Sequence, residues 1–167
     1  MKKTILIIGG SGFIGSHLAD KLTKDGHNII IYDKLPSKFL KSKQSFIKGD
    51  ILNIKSLNKA LNKIDIVFHF GGIIDIEYSK NNPKECLETN ILGTNNLLNI
   101  VSKMKKKPKI IFGSTLYIYS KYGSIYRISK ETCENLLHEY SIEYNIDYLI
   151  LRFGTVYGTR ASNNNSI

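Results

Sequence analysis

Short apolar runs recur along the chain, and the segments between them carry apolar residues every three or four positions. The runs are continuous rather than alternating, which is typical of parallel strands covered on both faces. Six runs have the length of a strand: Ile5–Ile8, Ile29–Tyr32, Ser45–Ile47, Ile66–Phe70, Ile110–Phe112 and Tyr148–Leu151. Helical spacing relates Ile14, Leu18 and Leu22; Ile54, Leu57, Leu61 and Ile64; Leu87, Ile91, Leu98 and Val101; and Ile128, Leu136, Leu137, Tyr140 and Tyr144, in a last helix from about Ile125 to Tyr144. Strands that alternate with helices predict an α/β fold with a doubly wound parallel sheet.

A glycine-rich turn follows the first run, and a carboxylate ends the second. The turn reads Gly9-Gly10-Ser11-Gly12-Phe13-Ile14-Gly15, and Asp33 comes directly after Tyr32. Glycines allow a tight turn, close approach to a pyrophosphate and close packing of helix on strand. A helix that begins near Phe13 would direct free N–H groups and its positive dipole end at phosphates. Asp33 could accept hydrogen bonds from ribose hydroxyls, so the order predicts a Rossmann-type dinucleotide-binding domain in three αβα layers rather than a loop that merely needs glycines.

Composition excludes several other classes of protein. The chain has 167 residues, enough for one domain with a core, and only two cysteines without metal-ligand spacing. We therefore predict no metal site and a reducing, cytoplasmic location. No apolar stretch reaches the length of a membrane span, and the run after Lys3 is too short for a signal peptide. A net charge of +10 raises the hypothesis of nucleic-acid binding, but the lysines are scattered, and we predict no nucleic-acid partner.

A candidate catalytic group lies in the last predicted helix. Tyr126 and Lys130 are four residues apart, hence on one helical face, where a cation would favour the phenolate. Ser114 and Thr115 follow the strand Ile110–Phe112, at the carboxyl edge where doubly wound sheets bind ligands. A hydroxyl there could hold a substrate oxygen while the tyrosine exchanges its proton. A second Tyr/Lys pair, Tyr117 and Lys121, has the same spacing, but no amphipathic helix follows it, and we favour Tyr126.

The whole sequence resembles the extended short-chain dehydrogenase/reductase family, specifically its NAD-dependent nucleotide-sugar epimerases and dehydratases, of which UDP-glucose 4-epimerase is an example. The resemblance implies NAD as cofactor, a nucleoside-diphosphate sugar as substrate, and Thr115, Tyr126 and Lys130 as the catalytic residues. It also implies an adenine contact at Asp50-Ile51, where capping of the next helix is the alternative role for Asp50. The implied cofactor-binding residues are Gly9, Gly12, Phe13, Ile14, Gly15, Asp33, Asp50, Ile51, Phe70, Gly71, Gly72, Asn90, Tyr126 and Lys130.

Departures from the family pattern limit what the resemblance implies. Residues 1–160 match the NAD-binding domain, and the polar tail 161–167 stands where the C-terminal substrate lobe would begin, so we expect that lobe to be missing. Leu116 and Tyr117 stand where the family's 4,6-dehydratases have an Asp-Glu pair, which disfavours elimination of water. The alternative to an epimerase or reductase is a truncated NAD-binding module without turnover. The family also suggests a homodimer, formed by the predicted helices at residues 83–103 and 125–144.

His17 and His69 are interpreted as structural histidines rather than as metal ligands.

Overall fold

The computed structural model describes residues 1–161, so the predicted tail 161–167 lies outside the described residues except for Ala161. The strands are β1 (Thr4–Ile8), β2 (Asn28–Asp33), β3 (Gln44–Lys48), β4 (Ile66–His69), β5 (Lys109–Thr115) and β6 (Tyr148–Phe153). The α-helices are α1 (Phe13–Lys24), α2 (Ile54–Ala60), α3 (Ile76–Asn81), α4 (Pro83–Leu87), α5 (Gly93–Ser102) and α6 (Ser124–Tyr144). A π-helical turn (Glu88–Leu92) joins α4 to α5, and a 3₁₀ turn (Leu116–Tyr119) follows β5.

All six strands form one parallel sheet in the order β3-β2-β1-β4-β5-β6. The strand order therefore reverses between β1 and β4, where Ile5 of β1 pairs with Ile29 of β2 on one side and with Ile66 of β4 on the other. The carboxyl ends of strands beside such a reversal form a crevice that binds ligands in doubly wound folds. The predicted Rossmann-type fold is confirmed.

The two faces of the sheet are covered unequally. Leu6 and Ile8 of β1 belong to a large buried cluster with residues of α2, α5 and α6, such as Leu97. Ile5 and Ile7 face the opposite side, where the smaller cluster is closed by Ala19 and its neighbours on α1. Within the described residues, that second face is well covered only over β1 and β2. On β4 to β6 its apolar side chains are half-buried or exposed, as at Ile66, Phe68, Ile111 and Leu149.

The helical pattern predicted helix positions better than helix ends. The helix α2 ends at Ala60, so Leu61 and Ile64 lie beyond it, although both are fully buried. Packing of the chain segment, rather than continued helix, explains why their spacing looks helical. The single long helix predicted over Leu87–Val101 is wrong in detail, because a π turn interrupts it. The short helix α3, capped by the Asp75 carboxylate on the N–H of Tyr78, was not predicted.

The segment after β6 runs back over α1. The His17 ring bonds to the carbonyl of Thr159 at 2.8 Å, and Arg160 pairs with Asp20 at 2.7 Å. The guanidinium of Arg160 also covers the ring of Phe39, with its central carbon 4.3 Å from the centroid. These contacts hold Thr159 and Arg160 against α1 and Phe39. Within the described range, no helix is both long and apolar enough to cross a lipid bilayer.

The core contacts predict unequal costs for two leucine truncations in one segment. Leu97 is fully buried, whereas Leu92 is 52% exposed. We expect Leu97→Ala to lower the free energy of unfolding by about 2–5 kcal/mol, because it leaves a cavity in the core. Leu92→Ala should change it by less than about 1 kcal/mol. Urea unfolding of both variants checks this, and equal losses would contradict the assignment of the core.

Candidate active site

The glycine turn packs backbone against backbone without room for side chains. Gly9 has a φ of +78°, and a Cβ there would lie 2.5 Å from the amide nitrogen of Gly71, after β4. A Cβ on Gly15 would lie 2.3 Å from the carbonyl oxygen of Gly9. Both distances are far inside van der Waals contact. The turn between β1 and α1 can therefore close only with glycine at these positions.

The N–H groups of the first turn of α1 are available to bind an anion. The cap residue Gly12 has no side chain to bond the helical N–H groups, and the first turn contains no acidic residue. A Cβ on Gly12 would meet only the Gly9 carbonyl oxygen, at 3.4 Å, so this side of the turn is open. Free N–H groups and the positive end of the helix dipole suit a phosphate. The donors present therefore fit a pyrophosphate.

The Asp33 carboxylate is held against the same turn. One oxygen accepts from the amide of Ser11 at 3.0 Å and the other from the amide of Leu35 at 3.2 Å. A carboxylate has about four acceptor positions, so capacity for ligand hydroxyls remains.

Lys34 pairs with Asp50 at 3.0 Å. The alternative role of Asp50 as a helix cap is wrong, because Asn53 caps α2.

One cavity of about 920 Å³ joins this turn to the predicted catalytic residues. It extends along the carboxyl ends of the strands at the point where their order reverses, as expected for a ligand crevice. Twelve of the predicted cofactor-binding residues line it: Gly9, Gly12, Phe13, Ile14, Gly15, Asp33, Ile51, Phe70, Gly71, Gly72, Tyr126 and Lys130. Asp50 and Asn90 are not among the residues that line it.

Thr115 and Tyr126 form the far end of this cavity. The Thr115 hydroxyl oxygen accepts from the amide of Tyr117 at 3.2 Å, which leaves its own hydrogen free to donate. Burial raises the pKa of the Tyr126 phenol, while the neighbouring Thr115 side chain acts in the opposite direction. The sequence argument expected a cation to favour the phenolate. In the structure burial is the largest influence on the pKa of Tyr126, and it acts against the phenolate.

Lys130 lies one helical turn beyond Tyr126 and is almost completely buried. Its ammonium group donates to the carbonyl of Gly113 at 2.8 Å and lies 4.7 Å from the centroid of the Phe112 ring. Burial lowers the pKa of Lys130. The lysine is therefore anchored on β5 and reaches the cavity from beneath its floor.

The second Tyr/Lys pair has no comparable geometry. Tyr117 lines the cavity, but it belongs to a 3₁₀ turn, and Lys121 lies in the exposed segment after that turn. Only Tyr126 and Lys130 share the face of a continuous α-helix, α6. The structure therefore gives the geometry expected of the catalytic pair to Tyr126 and Lys130, and makes Tyr117 a wall residue that the sequence argument did not assign.

Asn90 connects the cavity floor to α6. Its amide oxygen accepts from the N–H of Ile73 at 2.8 Å, and its amide nitrogen donates to the Ile73 carbonyl at 2.9 Å and to the Ser129 hydroxyl at 2.9 Å. Neither Ile73 nor Ser129 was predicted as a site residue. The position of Ser129 between Tyr126 and Lys130 was the available signal, since a residue three positions after Tyr126 faces the same side of the helix.

His69 is a buried neutral histidine beside this group. The Thr94 hydroxyl donates to the carbonyl of Asn90 at 2.6 Å, so His69 Nε2 must donate to Thr94, at 3.0 Å. Burial, reinforced by the charge of Lys130, lowers the pKa of His69 to about 3. Among the residues described, no cluster of histidine, cysteine and carboxylate side chains could hold a metal ion.

Comparison with known proteins agrees with this geometry. Residues 5–167 match the model of the NAD dependent epimerase/dehydratase family. The chain belongs to this family. It is 36% identical to the UDP-N-acetyl-alpha-D-glucosaminuronate decarboxylase of Bacillus cytotoxicus, with 96% of this chain and 57% of the relative aligned. The predicted family membership is confirmed.

Solved structures of family members share the fold. The UDP-glucose 4-epimerase of Thermotoga maritima superimposes with a TM-score of 0.87 at 30% identity, covering 94% of this chain and 57% of that one. The UDP-glucuronic acid 4-epimerase of Bacillus cereus, in complex with UDP-glucuronic acid and NAD, has a TM-score of 0.85 at 32% identity, covering 94% and 58%. The chain thus spans somewhat more than half the length of these family members.

Burial of neutral His69 predicts a pH-dependent stability. In the unfolded chain a histidine takes up its proton near pH 6.5, but in the fold only near 3. The unfolded state therefore binds more protons in this window, and the free energy of unfolding falls as the pH drops from about 6.5 towards 3. At about pH 5 we expect the free energy of unfolding to be about 2 kcal/mol lower than at neutral pH because of His69.

The matched variant is His69→Gln, which keeps a donor for Thr94 but does not titrate. Urea unfolding at about pH 7 and about pH 5 should show a smaller loss for this variant than for the wild type. Equal losses in the two proteins would assign the acid sensitivity to other groups.

Proposed function

We propose that this chain binds NAD in the crevice described above and carries the catalytic half of an epimerase or oxidoreductase that acts on a nucleoside-diphosphate sugar. The observation that supports this most is the single cavity that joins the glycine turn and Asp33 to Thr115, Tyr126 and Lys130. Family membership makes NAD the expected cofactor, and the donors of the turn fit its pyrophosphate.

The binding roles divide along the crevice. The N–H groups of the first turn of α1, at Phe13 and Ile14, would hold the pyrophosphate. Asp33 would accept hydrogen bonds from the adenosine ribose and would repel a 2′-phosphate, which favours NAD over NADP. The positive charge of Lys34 could attract a 2′-phosphate, but Lys34 is already paired with Asp50. Asp50 itself and Ile51 are proposed to flank the adenine.

At the catalytic end, each side chain has a separate task. When bound, NAD supplies the acceptor for hydride from a sugar carbon. Thr115 has a free hydroxyl hydrogen for the sugar oxygen, and Tyr126 exchanges a proton with the sugar hydroxyl. Lys130, held by the Gly113 carbonyl, is proposed to orient the nicotinamide ribose and to place positive charge near the phenol.

The wall around the sugar position favours epimerisation or simple oxidation over loss of water. Elimination needs an additional acid and base beside the tyrosine. Leu116 and Tyr117 follow Thr115, and Leu116 has no proton to exchange. Proton exchange by Tyr126, together with bound NAD as the hydride acceptor, would suffice to form a keto sugar and to reduce it again.

A second candidate function is dinucleotide binding without independent turnover. It is supported by the length comparison, since the chain spans about 57% of the relatives that it matches. In those relatives a further part of the chain accompanies the region matched here. This candidate predicts NAD binding with no turnover of any nucleoside-diphosphate sugar, and calorimetry with each ligand separates the two candidates.

We also propose a homodimer, as the family resemblance suggested. The helices concerned expose apolar side chains: Leu92 at 52%, Ile128 at 43% and Ile142 at 62%. Pairing of α6 and the α4–α5 segment with a second copy would bury these side chains.

Cys86 and Cys133 are free and buried, which suits the proposed reducing, cytoplasmic location.

Dinucleotide binding is tested with two glycine substitutions. Gly15→Ala places a Cβ 2.3 Å from the Gly9 carbonyl and should displace the turn, so we expect NAD affinity to fall by at least about a hundredfold in calorimetry. Gly26→Ala is the control: its φ is also positive, at +89°, but nothing lies within 4 Å of the added Cβ. It should cost some stability and leave NAD affinity unchanged. Wild-type affinity in Gly15→Ala would refute the proposed binding mode.

Proton exchange by Tyr126 is tested with Tyr126→Phe, which keeps the ring and removes the hydroxyl. We expect NAD affinity close to that of the wild type, and loss of NADH formation by about a hundredfold or more when a nucleoside-diphosphate hexose is added. Tyr117→Phe is the matched control, since Tyr117 also lines the cavity. NADH formation that survives in Tyr126→Phe, or is lost equally in both variants, would contradict the role of Tyr126.

A further inference from the structure

A chain of buried polar groups runs beneath the catalytic end of the cavity. Its members come from four parts of the chain: the end of β4 with the loop that follows it, the π turn, the start of α5, and α6. Their side chains are nearly inaccessible to solvent, with relative exposures of 0–2% at His69, Asn90, Thr94 and Ser129. Buried polar groups cost free energy unless each finds a partner, so the geometry of such a chain is tightly specified.

Asn90 is the central member, and the π turn explains how it serves several partners at once. Its carbonyl oxygen accepts from the Thr94 hydroxyl at 2.6 Å and from the Cys133 thiol at 3.2 Å. A π turn displaces backbone carbonyls from the regular helical ladder, which makes them available to side chains. The backbone of Asn90 is thereby tied to α5 and α6, while its side-chain amide faces the loop after β4.

Ser129 lies where this chain meets the catalytic helix. Its hydroxyl donates to the carbonyl of Tyr126 at 2.8 Å and accepts from the Asn90 amide at 2.9 Å. The same Asn90 amide group bonds both the N–H and the carbonyl of Ile73. Three hydrogen bonds thus link the backbone of Ile73 to Ser129 through a single side chain.

The loop at Ile73 is part of the cavity floor. Gly71, Gly72 and Ile73 all line the cavity, and a Cβ on Gly72 would lie 2.7 Å from the Asn90 amide oxygen. Tyr126 and Lys130, on either side of Ser129 in sequence, line the same cavity, and a Cβ on Gly72 would lie 3.9 Å from the Lys130 Nζ. The distance between floor and catalytic helix therefore depends on the Asn90–Ser129 contact.

We propose that Ser129 is a positioning residue: through Asn90, it sets the cavity floor at Gly72–Ile73 relative to the helix face that carries Tyr126 and Lys130. This inference rests on the proposed function for its consequence, since the loop and the helix face both line the cavity proposed for the dinucleotide. Ser129 itself is not among the residues that line the cavity.

Ser79 provides a matched comparison within the same molecule. It is equally buried, and its hydroxyl also donates to a carbonyl one turn earlier in its helix, at Asp75, at 2.6 Å. Unlike Ser129, its hydroxyl accepts no hydrogen bond from another segment among the described contacts. Ser79→Ala therefore measures the loss of a buried helical serine alone, and Ser129→Ala measures that loss together with the contact to Asn90.

The first experiment measures hydrogen exchange at the amide of Ile73, in the full chain without ligand. In Ser129→Ala the Asn90 amide loses one acceptor and holds Ile73 less firmly, so exchange should accelerate on the order of tenfold. In Ser79→Ala the Ile73 rate should match the wild type. A wild-type rate in Ser129→Ala, or equal acceleration in both variants, overturns the proposal. Should Ser129→Ala not fold, Ser129→Cys, whose thiol is a weaker acceptor, takes its place with the same expected direction.

The second experiment is a double-mutant cycle with NAD affinity as the readout. Ser129→Ala should weaken NAD binding by roughly five- to tenfold, and the same change in an Asn90→Ala background should add almost nothing, because Ser129 acts through Asn90. Multiplicative losses would show independent action and overturn the proposal. Absence of NAD binding by the wild type would instead refute the proposed function, while the exchange rates of Ile73 still decide the coupling.

Discussion

Close packing of bare backbone at the junction of β1, α1 and β4 is the constraint on which the rest of the structure depends. Gly9 and Gly15 let the chain turn directly from strand to helix, and Gly9 lies against the backbone of Gly71 at the end of β4. This contact brings the N-terminus of α1 over the point where the strand order reverses. Because the free N–H groups of the first turn of α1 converge there, and that turn holds no acidic residue, the junction can bind an anion.

The catalytic end obeys a different constraint, the cost of burying polar groups. Lys130, His69 and Asn90 are almost inaccessible to solvent, and each is held by hydrogen bonds that begin in one element and end in another. Burial raises the pKa of Tyr126 and lowers those of Lys130 and His69. All three shifts favour the neutral form of the side chain. The end of the crevice where the sugar is proposed to lie is therefore a low-dielectric environment. Electrostatic interactions there are stronger than in water, so the exact placement of the Thr115 and Tyr126 hydroxyls matters more for proton transfer.

The unequal covering of the sheet agrees with the length comparison. Over β1 and β2 both faces are closed, whereas Leu149 and its neighbours on β4 to β6 remain partly open within the described residues. The relatives that share this fold are longer, and the chain spans somewhat more than half of each. The end of the crevice proposed for the dinucleotide is lined by residues of the described chain such as Gly9 and Asp33. The end of the crevice proposed for the sugar is lined by Thr115, Tyr117 and Tyr126.

The sequence by itself determined the fold class, the six strands and the glycine turn, because continuous apolar runs and glycine spacing are local properties that survive without knowledge of packing. The Tyr126–Lys130 pair was equally visible, since residues four apart in a helix share a face. Helix ends, the π turn at Asn90 and the short helix α3 were decided by tertiary packing. So was the direction in which the pKa of Tyr126 shifts, because burial raises it and outweighs the opposing effect of the Thr115 side chain. Ser129 and Thr94 acquired partners only when residues distant in sequence came together. A buried polar group must take whichever partner the fold brings within hydrogen-bond distance, and a one-dimensional pattern does not contain those distances.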